Sequence, residues 1–66
     1  MEITVNGAKK EILNKESLQD IIEGFCKEPK NIIAEVNGTI VKGPLWPQKK
    51  IQNGDTIELI SIVGGG

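Results

Sequence analysis

Residues 53–66 read NGDTIELISIVGGG. The Asn-Gly-Asp opening is a turn signal. The β-branched run after it predicts a strand over residues 56–63. Alternation puts Ile57, Leu59 and Ser61 on one face, and Glu58, Ile60 and Ile62 on the other. If Ile57 and Leu59 point to a helix, Ile60 and Ile62 lie on the open face beside the chain end. Two readings of that pair stand side by side. They form part of a protein-binding patch, or neighbouring side chains cover them.

The strand runs straight into Gly64, Gly65 and Gly66. One reading is a flexible end or an expression remnant. A cloning scar seldom continues a strand smoothly, and no tag follows. The other reading makes the terminal carboxylate the reactive group. It is unreactive until an energy source such as ATP turns it into an acyl adenylate, which a nucleophile then attacks. Glycine suits this task because a tail without Cβ atoms threads a narrow channel. Three extended residues reach roughly 10 Å beyond the fold. A misplacement of about 1 Å can cost about a hundredfold in rate, so such a tail has a closely specified length.

Upstream, MEITV alternates, with Ile3 and Val5 on one face and Glu2 and Thr4 on the other. Asn6-Gly7 is a strong hairpin signal, and KKEIL returns as a second, antiparallel strand. Ser17 is a good helix N-cap, and Asp20 completes a partial capping box with Asp in place of Glu or Gln. Leu18, Ile21, Ile22 and Phe25 follow at i, i+3, i+4 and i+7, one stripe of a helix. Pro29 stops that helix at or before Glu28. Gly24 lies off the stripe and reads as an early fraying end. NIIAEVNGTIV is strand, turn, strand, with Ile32, Ala34 and Val36 on one face and Ile33 and Glu35 on the other. KGPLWPQKK is a loop whose prolines, Pro44 and Pro47, block regular pairing. All three Asn-Gly pairs are read as hairpin turns.

The order is ββαββ, a loop, then β. One helix covers one face of a sheet and leaves the other partly solvated. A sheet joining the N-terminal hairpin to the final strand fits the apolar pattern. Order alone leaves the pairing open.

Composition narrows the function classes. The chain has 66 residues, 38% hydrophobic and 26% charged, which fits a single folded domain with a small core. A net charge of −1 carries no basic footprint for nucleic acid or membrane. One cysteine permits no internal disulfide, which points to a reducing cytoplasm. MEITVNG lacks the basic and apolar regions of a signal peptide, and no apolar run approaches a membrane span. With no histidine and one thiol, metal sites and His-dependent catalysis have almost no ligands to draw on. The expectation is a protein that is acted upon, not an enzyme.

Two single residues stand out. Cys26 is either a reactive thiol or a small half-buried filler. The sequence places no lysine, arginine or helix N-terminus to activate it, because Lys27 is adjacent but faces elsewhere, and the filler is preferred. Trp46, the only tryptophan, is either a binding aromatic or a cap on one end of the core with its indole N–H toward water. The cap is preferred.

Taken together, ITVNG, SLQDII, AEVNGTIV, Trp46, NGD with TIELISIV, and the glycine end resemble the ThiS family, over essentially the whole chain. These are ubiquitin-like sulfur carriers of thiamine thiazole biosynthesis. The resemblance implies an α+β, β-grasp fold: a mixed sheet of about five strands with one helix across one face. It implies a domain over residues 1–63 and a flexible tail over residues 64–66. It further implies that an adenylating enzyme uses ATP to activate the Gly66 carboxylate. A sulfur donor, fed by a cysteine desulfurase, then makes it a thiocarboxylate, and a thiazole synthase takes the sulfur. The chain itself would bind no cofactor and no metal. Gly65 and Gly66 match the family's diglycine, Gly64 is a third glycine, and Cys26 matches no functional position. The small subunit of molybdopterin synthase shares fold and chemistry but tends to be longer and richer in aromatics. One Phe and no Tyr in 66 residues fit the thiamine carrier better. Other sulfur carriers, and a ubiquitin-like modifier or docking module, are the remaining alternatives.

Overall fold

The computed structural model describes residues 1–13, 17–26 and 29–62. Five strands form one mixed sheet: β1 (Glu2–Val5), β2 (Ala8–Glu11), β3 (Ile32–Val36), β4 (Thr39–Val41) and β5 (Thr56–Ser61). One helix, α1 (Leu18–Phe25), crosses one face. The spatial order is β2-β1-β5-β3-β4. β1 and β5 are parallel, and every other neighbouring pair is antiparallel. The final strand therefore lies at the centre of the sheet, between the two hairpins. This is the β-grasp arrangement that the family resemblance implies.

Alternation decides which face each strand buries. Ile3 and Val5, Ala34 and Val36, and Ile57 and Leu59 pack toward α1. The helix meets them with Leu18, Ile21 and Ile22, each at most 2% exposed. Ser17 caps the helix with a full reciprocal box. Its hydroxyl accepts from Asp20 N at 3.2 Å, and the Asp20 carboxylate accepts from Ser17 N at 3.2 Å. Aspartate thus suffices where Glu or Gln is usual.

Phe25 departs from its expected place in the apolar stripe. It is 45% exposed, and the Lys10 ammonium lies 5.9 Å from its ring centroid. The helix ends at this residue, and Cys26 is already extended at φ −128°. No further helical turn covers the ring, which lines an open cavity between α1 and the sheet with Val5, Lys10 and Ile32 instead of filling the core.

The second strand is shorter than KKEIL, ending at Glu11 and leaving Leu13 exposed. The segment around Trp46 is more regular than a loop. Gly43–Gln48 forms a 3₁₀ helix, with Pro near its start where no backbone donor is needed. Leu18 N donates to Lys49 O at 2.7 Å, which ties the helix start to the end of this segment. Trp46 and Ile51 then close one end of the core.

The third Asn-Gly pair is not a hairpin. Asn6-Gly7 (φ +50° and +82°) and Asn37-Gly38 (φ +53° and +85°) both have the positive φ values of type I′ hairpin turns. At Asn53-Gly54 only the glycine is positive, at +89°. Asp55 N donates back to Gln52 O at 3.1 Å, closing a β-turn that feeds β5 into a parallel pairing with β1. The strand after it ends at Ser61, short of the expected residues 56–63. Val63 lies outside the described residues.

Candidate functional site

β5 is the element that leads into the glycines. It is held by β3 from Ile57 onward, in the register Ile32↔Ser61, Ile33↔Ile60, Ala34↔Leu59, Glu35↔Glu58 and Val36↔Ile57. Ile62 N then donates to Asn31 O at 2.8 Å, so residue 62 is still fastened to the body. On its other side β1 pairs Thr4 with Thr56 and Val5 with Ile57. Gly64, Gly65 and Gly66 lie outside the described residues.

Two turn asparagines reinforce this strand from opposite sides. Asn37 Oδ1 accepts from Thr56 N at 2.9 Å, and its amide donates to Asp55 Oδ1 at 3.0 Å. Asn6 Oδ1 accepts from Leu59 N at 2.7 Å, and its amide donates to the Leu59 carbonyl at 3.2 Å. Asn53 Oδ1 accepts from Glu2 N at 2.8 Å, which fastens β1. The sequence shows these residues as turn formers. Their second task, reaching across to another strand, went unread. The available signal was the repeated choice of Asn, whose side chain both donates and accepts, where Gly or Asp would also make the turn.

The face of the sheet away from α1 presents Ile60 and Ile62, each 49% exposed, and Ile40, 60% exposed. Neighbouring side chains therefore leave about half of Ile60 and of Ile62 uncovered. Ile33 sits opposite Ile60, while Glu35 sits opposite both Glu58 and Ile40. Over β3, β4 and β5 this face is thus a row of isoleucines around two carboxylates.

Cys26 is half-buried and packs against the core. Trp46 is 7% exposed, as a core cap should be. Its indole N–H points inward, contrary to expectation, and donates to the Val41 carbonyl at 2.7 Å. Burial makes an internal acceptor necessary, and the end of β4 supplies it. Among the described residues no group of His, Cys, Asp or Glu is placed to hold a metal. Nor is any described helix long and apolar enough to cross a membrane.

A family model for the ThiS family matches residues 3–66. The chain belongs to the ThiS family. The match runs through the terminal glycines as well as the fold. An uncharacterized protein, ycf40, of Trieres chinensis is 32% identical over 62 residues, covering 94% of this chain and 85% of that protein. The crystal structure of a thiamine biosynthesis protein (ThiS) from Geobacter metallireducens superposes with a TM-score of 0.87 at 20% identity, over 100% of both chains. The solution structure of a thiamine biosynthesis protein from the same organism gives 0.82 at 20% identity, over 100% of this chain and 88% of that one. At such identity these two structures show a common fold.

Proposed function

We propose that this protein is a sulfur carrier of thiamine biosynthesis whose reactive group is the Gly66 carboxylate. The observation that carries the reading is the family match, which extends through residue 66. The fold supports it. The central strand of the sheet runs directly toward the glycines and is fastened as far as Ile62.

In this reading the carrier is a co-substrate, not an enzyme. An adenylating enzyme binds ATP and the tail, and the Gly66 carboxylate displaces pyrophosphate to give an acyl adenylate. A persulfide sulfur, supplied by a cysteine desulfurase, then displaces AMP to give an acyl disulfide, and a second thiol cleaves its S–S bond, leaving the thiocarboxylate and a disulfide. The thiazole synthase takes the sulfur from it. Gly64 and Gly65 serve as slender chain that passes through the partner's channel. Ile60 and Ile62 meet the partner on the open face, where their burial on docking contributes apolar area. The body contributes no reacting side chain, in keeping with a chain that has no histidine.

ATP–pyrophosphate exchange by an activating enzyme from the same cell tests this. The intact chain should support exchange, and a chain lacking Gly66 should not, while both give the same folded spectrum. Equal exchange by both would refute the assignment to Gly66. Amide-linked conjugates to other proteins in place of a thiocarboxylate would favour a ubiquitin-like modifier.

A further inference from the structure

Asn6 sits at the start of the β1–β2 turn with φ +50°, and its side chain reaches back over β5. It takes both backbone groups of one residue there. Oδ1 accepts from Leu59 N at 2.7 Å, and Nδ2 donates to Leu59 O at 3.2 Å. A neighbouring strand would offer the same donor and acceptor. The β1 backbone itself pairs with β5 only at Thr4↔Thr56 and Val5↔Ile57, with Asn6 N donating to Ile57 O at 2.9 Å. Leu59, two residues on, is the next position whose backbone groups face β1. By then the β1 chain has turned away at Gly7. The amide extends the ladder by one residue where the backbone leaves it. On the other side β3 pairs with Ile60 and Ser61. The last turn-free stretch before the tail is therefore gripped from both edges.

The turn does not need this side chain. Glycine adopts the same positive φ, and Asp-Gly or Gly-Gly make the same hairpin. Asn supplies both a donor and an acceptor. We propose that Asn6 is a positioning residue for the carrier reaction: its clamp on Leu59 holds the β1 edge of the stretch that β3 alone would otherwise carry from Leu59 to the tail. This rests on the sulfur-carrier reading above. Without it, β5 beyond Ile57 is held by β3 alone and frays more readily, and each residue that comes loose must be ordered again when the tail enters a partner's channel. Docking of the sheet face is unaffected, so the loss appears in turnover and not in capture.

The test compares Asn6→Gly, Asn6→Asp and Asn37→Gly in the full chain. Asn6→Gly keeps the turn conformation and removes the clamp. Amide hydrogen exchange at Leu59 should quicken about tenfold, the scale of one hydrogen bond. The kcat of adenylation should fall about tenfold, the ordering of roughly one residue, with KM for the carrier changed less than twofold. Asn6→Asp keeps the acceptor for Leu59 N and loses the donor, and should fall between. Asn37→Gly removes the corresponding bond to Thr56 N at the far end of β5. It should quicken exchange at Thr56 and leave kcat at the wild-type value, which controls for general loosening. Wild-type kcat in Asn6→Gly despite faster exchange at Leu59 would overturn the positioning role. Unchanged exchange at Leu59 would overturn the clamp. Failure of the wild-type chain to be adenylated would instead overturn the carrier reading. The exchange contrast needs no enzyme, so the two failures are separable.

Discussion

Glu35 of β3 lies directly opposite Glu58 of β5 on the open face of the sheet. Like charges at directly opposed positions oppose pairing. Glu58→Lys should therefore form a cross-strand ion pair and raise stability by roughly 0.5–1 kcal/mol. Urea unfolding should show a higher midpoint with an unchanged slope. The gain should shrink in high salt, because the pair is at the surface.

The two faces of β5 should answer differently to truncation. Ile57 is fully buried and Ile60 is 49% exposed. Ile57→Ala should cost about 2–5 kcal/mol, through lost burial and a residual cavity. Ile60→Ala should stay within about 0.5 kcal/mol of the parent. If the open face meets the activating enzyme, the same Ile60→Ala should raise KM for the carrier several-fold. Denaturant unfolding and steady-state adenylation separate the two effects.

Gly24 lies within α1 with ordinary φ, and a Cβ built there meets nothing within 4 Å. Gly24→Ala should stabilise the protein by about 0.5–1 kcal/mol through the entropy of the unfolded chain and helix propensity. The proximity of the helix end puts the gain at the lower part of that range. A thermal melt reads it as a higher Tm.

Trp46→Phe keeps an aromatic ring in the core and removes the donor to Val41 O. The carbonyl at the end of β4 then loses the indole as a partner, at a cost of about 0.5–1.5 kcal/mol. A urea midpoint should fall accordingly. Exchange at β4 amides should quicken more than at β1, since Val41 belongs to β4.

The parts of this fold legible in the sequence are those set by local periodicity. Ile3 with Val5, Leu18 with Ile21 and Ile22, and Ile57 with Leu59 all announce a buried face through spacing alone, and all are buried. The exposed side of β5 was legible for the same reason: a period of two leaves Ile60 and Ile62 on the face opposite Ile57. What was not legible depends on distant partners. Nothing near Thr4 says that it will lie beside Thr56. The third Asn-Gly looks like the other two, and only the parallel β1–β5 pairing removes its hairpin. Phe25 keeps helical spacing, yet the helix ends with it, and its ring stays half exposed at the rim of the core. The indole of Trp46 turns inward because the Val41 carbonyl at the end of β4 lies within its reach. The amides of Asn6 and Asn37 reach residues 53 and 19 positions away, a distance no turn pattern encodes.

The central claim is that the body of this protein exists to present one carboxylate. Intact-mass measurement of the chain tests it most directly, after incubation with the activating enzyme, ATP and a sulfur source. The account predicts exchange of one oxygen for sulfur, located by fragmentation at Gly66, and no exchange in a chain lacking Gly66. Sulfur incorporated at Cys26 with an unchanged C-terminus would contradict it.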